Sequence, residues 1–429
     1  MKCMILMALT VTLVVADERP AIPARLTMPE ALEITLRSSA SLRRAEAQLR
    51  QSEGQSMQLR SGLLPQVSIG ASDALQAVNL KTMGLDFPGL PSRVGPFQTV
   101  DARAYLTQNV FQWQAVERNR AGRAQWEASA AQRNNVREMV TLQVATGFAQ
   151  ALRAQSSSAR LSEQVQLARQ LVSITEERLR AGVASELEVK RSRQQMNNLE
   201  QSWIESRNSL TTAKLQLAHL MHAQVSASFE LVDDSTPDAD PPDAAGALAE
   251  SMDARADYRA AQSQLRAAEH NLKSVKAQRY PVIQFQAGYG QSGRKPFENL
   301  NTFHIRGVLQ MPVFTGGRIA GEQTEAEGKV EEARAALDEI RSQVETEVLS
   351  GLSALQSARE QTRVAQSTVG LAKDELSLAL ERFTSGVADN TEVVNAQDRL
   401  SRAEDNLVRA EYQTGIARAQ MRRATGAAQ

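Results

Sequence analysis

Two histidines, His219 and His222, stand three residues apart in a helical tract and can share one helix face, the first requirement of a transition-metal site. No third ligand stands near them in the sequence, so the pair reads as helix-end or interface histidines, and no metal is expected. The segment GYGQSG, Gly288–Gly293, spells the dinucleotide-binding fingerprint. That chemistry needs a helix directly after the glycines and a strand-helix-strand unit around them, and neither pattern is present. The glycines suit a strand end and its turn. Four histidines and one cysteine, Cys3, offer no arrangement of nucleophile, base and acid, so neither an enzyme nor a cofactor is expected. Two carboxylates stand out by repetition instead. Glu188 and Glu392 each lie six residues beyond a glycine, in RLRAGVASELEV and RFTSGVADNTEV, two stretches 204 residues apart.

The elements that carry these carboxylates are long helices. Thirteen prolines are present, but none falls between Phe97 and Thr236 and none after Pro312. An interior proline costs a helix about 3 kcal/mol, so the proline-free tracts are where long helices can form. Leu161, Val165, Ala168, Val172, Thr175 and Leu179 repeat at heptad-like spacing, and Leu167, Leu171 and Ile174 form a second stripe. Two stripes imply a helix with a neighbour on each side. Each glycine break then reads as a hairpin tip. Gly182 and Gly386 suit a left-handed C-cap, and Ser185 and Asn390 can cap the helices that follow.

Aromatics fall elsewhere. Eleven of eighteen lie in Pro65–Trp113 and Tyr280–Phe314, where the period changes to two. Ile283, Phe285, Ala287 and Tyr289 alternate with Gln284, Gln286 and Gly288, and Phe303, Ile305 and Leu309 with His304, Arg306 and Gln310. Val67, Ile69 and Ala71 alternate with Gln66, Ser68 and Gly70, and Ala102, Ala104 and Leu106 with Arg103, Tyr105 and Thr107. Such segments match membrane-spanning strands, and equally a soluble hairpin laid on a helix. Aromatics make up only 4% of the chain, and its 23% charged residues sum to zero. That composition gives no reason to expect a nucleic-acid partner.

The chain reads as a duplication. AQLRQSEG (Ala47–Gly54) matches SQLRAAEH (Ser263–His270), and Pro65 matches Pro281, both at an offset of 216; Phe111 matches Phe314 at 203, and Gly182 matches Gly386 at 204. The change of thirteen is assigned to a longer first hairpin loop, KTMGLDFPGLPSRVGPFQ. The expected organisation is a secretory signal at 1–16, with one Lys, a short apolar run and Ala16; a first repeat at 17–230; an acidic linker at 231–246; and a second repeat at 247–429. Cys3 would leave with the signal. Each repeat is helix, strand, strand, very long helix, helix. The expected helices are about Pro29–Gly62, Trp113–Arg180 and Glu186–His222 in the first copy. Four strands leave two open edges, which lipid does not tolerate, so the sheet must close with other copies.

The strand entries SGLLPQVSIGAS and KAQRYPVIQFQAGYG, the exit LQMPVFTGGR and the paired glycine turns resemble the TolC-like outer-membrane efflux family. The resemblance spans nearly the whole mature chain. It implies a homotrimer whose twelve-stranded β-barrel crosses the outer membrane of a Gram-negative-type bacterium, continued by an α-helical barrel through the periplasm. It also implies a periplasmic adaptor and an inner-membrane pump of the RND, ABC or MFS class, with the protein serving efflux or type I secretion. The adaptor would meet the tips, at Arg178, Leu179, Gly182, Val183 and Ala184 and at Arg382, Phe383, Gly386 and Val387. The second copy's EVVN would line the narrow periplasmic mouth, with Glu392 as an anionic ring. Asn395 would leave a second ring uncharged. Glu188 and Arg191 would pair with neighbouring helices to hold the mouth shut. Two departures concern the equatorial belt: QNVFQWQ stands where the second copy has QMPVFTGG, and the chain ends soon after its last helix. A soluble periplasmic coiled-coil scaffold or an adaptor is the alternative, and neither accounts for the alternating strands.

Overall fold

The computed structural model describes residues 19–80, 82, 84, 89, 91–234, 243–294 and 299–427. The expected signal at 1–16, with Cys3, lies outside them, as does 235–242 of the expected linker. In chain order the elements are β1 (Arg25–Leu26), α1 (Met28–Ser38), α2 (Ala40–Ser61), β2 (Gln66–Asn79), β3 (Arg93–Phe111), α3 (Trp113–Arg180) and α4 (Glu186–Leu220). There follow β4 (Glu230–Leu231), α5 (Ala244–Ala254), α6 (Ala256–Lys276), β5 (Val282–Gly293), β6 (Asn299–Gln310), α7 (Arg318–Thr384) and α8 (Asn390–Ala424). Helix, strand, strand, very long helix, helix thus occurs twice. Among the described residues no helix is long and apolar enough to cross a membrane.

The chain divides into two compact units. One comprises the described part of Met1–Arg44 with Asn134–Arg255 and Val344–Gln429. Its helices pack as the two stripes on α3 require. Val165 and Ala168 meet Leu199 of α4, with Met196 and Trp203 beside them. Leu167, Leu171 and Ile174 pack instead with Val369, Leu376 and Phe383 of α7 and Val393, Leu400 and Leu407 of α8. Each fully buried Leu or Val contributes about 1.5–3 kcal/mol. A third cluster joins Leu26, Ala31, Val144, Phe148, Leu217, Met221, Phe229 and Leu231. It lies where β1 pairs in parallel with β4, Leu26 opposite Leu231.

The single helix expected over Pro29–Gly62 is broken. Ser39 leaves the helical region at ψ 120 and ends α1, and α2 restarts at Ala40. The Ser39 hydroxyl then accepts the Leu42 amide at 3.3 Å, as a serine cap does. A Thr27–Glu30 capping box starts α1.

The other unit, Ala45–Arg133 with Ala256–Gln343, holds a four-stranded antiparallel sheet in the order β2-β3-β5-β6. The first hairpin differs from expectation: Arg93–Gln98, expected in the loop, belong to β3. The thirteen extra residues lengthen both strands as well as the loop. Only Gln112 separates β3 from α3, whereas Met311–Gly317 separate β6 from α7, with Gly316 and Gly317 at positive φ.

Candidate functional site

Both glycine turns are built alike. α3 ends with the Gly182 amide donating to the Leu179 carbonyl at 3.0 Å and the Val183 amide to that of Arg178 at 2.9 Å. α7 ends with Gly386 donating to Phe383 at 3.1 Å and Val387 to Arg382 at 2.9 Å. Each is a Schellman motif, with the glycines at φ +76° and +77°, a conformation where a β-carbon is unfavourable. Three residues after each glycine stands the N-cap of the next helix. Ser185 closes a capping box with Glu188. At the second turn the cap is Asp389, which accepts the amides of Thr391 and Glu392 at 3.0 and 3.3 Å.

Asn390 is therefore not the cap that the sequence pointed to. It is fully buried, and its side-chain amide donates to Ser192 Oγ at 2.6 Å and to the Glu188 carbonyl at 3.1 Å. Ser192 Oγ also lies 3.2 Å from Thr175 Oγ1. These contacts tie the start of α8 to α4 and the end of α3, while the Asn390 side-chain oxygen is buried without a hydrogen-bond partner among the described residues. Leaving one such group unpaired costs about 1–3 kcal/mol.

The expected gate residues are only partly brought together. Glu392 is ion-paired with Arg382 across the second turn, Nε to Oε1 3.1 Å, so its charge is largely offset. Glu188 turns back on its own cap, its carboxylate accepting the Ser185 hydroxyl at 3.0 Å. Arg191 reaches the other copy, donating to Thr391 Oγ1 at 3.2 Å. Asn395 is exposed on α8.

Of the expected tip contacts, Phe383 is overturned as a surface residue. Its ring is fully buried in the α3–α7–α8 core, and the Arg178 guanidinium covers it at 4.4 Å while donating to its carbonyl. Arg178 is accordingly half-buried. Val183 and Val387 remain about two-thirds exposed, at 63% and 70%. Gly182, Gly386 and Arg382 are exposed, Leu179 is 37% exposed, and Ala184 is half-buried. Leu187, missed in the sequence, is 56% exposed beside them. Its signal was available: a leucine in the first turn of a helix whose buried face begins at Val189.

The sheet separates its two faces by register. One row across the four strands is Val67, Leu106, Ala287 and Ile305, and another is Ile69, Ala104, Tyr289 and Phe303. The row between them is Ser68, Tyr105, Gly288 and His304, and the rows on either side are Gln66, Thr107, Gln286 and Arg306, and Gly70, Arg103, Gly290 and Thr302. Apolar and polar faces match the alternation read from the sequence. Arg103 grips Asp101 at 2.6 Å and reaches Thr302 and His304. A β-carbon at Gly288 would collide with the His304 ring, and one at Gly290 with Arg103 and the Ala102 carbonyl. Gly288 and Gly290 of GYGQSG thus leave room for the side chains of the polar face. On the other face Ile69 and Phe303 are 85% and 74% exposed, a contiguous apolar surface that water does not favour.

The sequence profile of the family described as outer membrane efflux protein matches residues 31–222 and 247–427. The chain belongs to that family. An outer membrane efflux protein is an outer-membrane channel with a large periplasmic helical part and is not an enzyme. This one is 25% identical over 386 residues to the pyoverdine export outer membrane protein OpmQ of Pseudomonas putida, covering 87% of this chain and 80% of that one. Its fold is similar to the crystal structure of the outer membrane protein VceC of Vibrio cholerae, with a TM-score of 0.77, 20% identity, and 93% and 96% of the two chains covered. It is also similar to the Campylobacter jejuni CmeC outer membrane channel, with a TM-score of 0.78, 16% identity, and 93% and 85% covered.

Proposed function

We propose that three copies of this outer membrane efflux protein form one exit duct. The observation that carries this is the four-stranded sheet, with one apolar exposed face and unpaired outer edges on β2 and β6. Lipid accepts the apolar face and does not accept the edges, and three sheets edge to edge remove all of them in a twelve-stranded barrel. The polar rows of Gln286, Arg306, Arg103 and His304 then line the lumen. A soluble scaffold or adaptor has no use for such a face.

The helical turns are the contact for a periplasmic adaptor, which couples the duct to an inner-membrane pump of the RND, ABC or MFS class. Val183, Val387, Leu187 and Leu179 offer exposed apolar side chains on rigid Schellman turns, with Gly182, Gly386, Ala184 and Arg382 around them and Arg178 behind. Rigid backbone with small apolar knobs suits docking, because little entropy is lost on binding. Substituting Val183→Asp together with Val387→Asp tests this. Export in cells should fall at least tenfold while the yield of assembled trimer stays within twofold of wild type. Unchanged export would remove the turns as the adaptor contact.

A further inference from the structure

Four long helices of this protein end in the same hydrogen-bonded turn. In three of them the left-handed position is glycine: Gly182, Gly386 and Gly426, with φ between +75° and +77°. At the end of α4 it is His222, φ +51°, the one non-glycine at positive φ among the described residues. Its amide donates to the His219 carbonyl at 3.0 Å, and that of Ala223 to Ala218 at 3.1 Å, so the motif is intact with a histidine where α8 has Gly426. A β-carbon is unfavourable there, and this position carries one. Strain that glycine would remove points to a use for the side chain.

The imidazole of His222 stands beside that of His219, ring centroids 6.3 Å apart. Both rings border a cavity of about 90 Å³ that is also lined by Ser39, Ser41 and Gln143. Among the described residues, neither ring has a hydrogen-bond or ion-pair partner. The other two histidines are engaged, His270 by Glu117 at 2.8 Å and His304 by Arg103 at 3.3 Å. The backbone under the pair is held: Ser38 Oγ donates to the Met221 carbonyl at 2.6 Å, which fastens the end of α4 to α1.

We propose that His219 and His222 bind one borderline divalent transition ion, Zn²⁺ or Cu²⁺, in this cavity. Two imidazoles on one such ion at about 2.0–2.1 Å bring their ring centres to about 5–6 Å, close to the 6.3 Å between these two. Imidazole nitrogen suits these ions over Mg²⁺ or Ca²⁺. Among the described residues no third His, Cys, Asp or Glu joins the pair, and the Ser39 and Ser41 hydroxyls bond each other at 2.8 Å, so water, with Gln143 on the cavity wall, would fill the remaining positions. A bound ion would clamp the end of α4 against the α1–α2 break at Ser39.

The test uses the full-length protein purified in detergent and stripped with a chelator. Cu²⁺ added at one equivalent per chain should give an electron paramagnetic resonance spectrum with hyperfine coupling to two imidazole nitrogens. Zn²⁺ should raise the melting temperature. His219→Ala should lose one nitrogen from the spectrum and weaken binding at least tenfold. His222→Gly is the discriminating variant. Without metal it should melt at or above the wild-type temperature, because the strain is gone, and Zn²⁺ should no longer raise that temperature. The proposal is overturned if wild type binds Cu²⁺ and Zn²⁺ no more tightly than the His219→Ala/His222→Gly double variant, or if His222→Gly keeps the full Zn²⁺ response.

Discussion

In the proposed duct, the carboxylate expected at the narrow mouth is one half of an ion pair. Arg382 sits 3.1 Å from Glu392, and both side chains are about half exposed. Such a pair is worth about 0.2–1 kcal/mol, so breaking it barely alters stability but frees a negative charge. In planar bilayers Arg382→Ala should raise cation preference at least twofold, and Glu392→Gln should lower it by less. If neither variant changes selectivity, these residues do not line the conducting path. The turns themselves were legible because glycine, a short polar step and a capping residue recur with fixed spacing. What failed was the choice between Asp389 and Asn390. Both are good caps, and only counting three residues from glycine, as Ser185 does from Gly182, separates them. Phe383 was misjudged because proximity to a turn says nothing about facing; its ring continues the buried stripe of Leu376 and Ala379.

At the scale of elements, period carried most of the fold. α3 runs from Trp113 to Arg180, as the proline-free tract and the left-handed glycine require. The strand faces were legible because alternation over ten residues has only one in-register solution. The α1–α2 break at Ser39 and the two-residue β1–β4 pair were not. A single serine in a helical pattern is unremarkable, and two residues are too few for any period. The faces make a direct prediction. Ile305 and Gln286 lie in adjacent rows, on opposite faces. Arginine on a lipid-facing strand site costs about 2–4 kcal/mol at the midplane and far less toward a wet lumen. Ile305→Arg should therefore lower the yield of folded, heat-modifiable protein in vesicles at least fivefold, with Gln286→Arg within twofold of wild type. Equal losses would contradict the assignment of lipid and lumen faces.

At the scale of the whole molecule, one chain is incomplete by its own chemistry. Its sheet has an apolar face for lipid and edges that lipid excludes. Its helical turns offer apolar knobs that water does not favour. The repeated element order halves the problem: two similar hairpins per chain supply four strands, and in the proposed trimer three chains would supply twelve. The chain belongs to the outer membrane efflux protein family, and the proposed trimer rests on the open edges and apolar face of its sheet. Native mass spectrometry of the detergent-extracted protein, with conductance recorded on the same fraction, tests it most directly. The channel-active species should have three times the mass of the mature chain, and monomer should be inactive. A stable monomer that conducts would contradict the account.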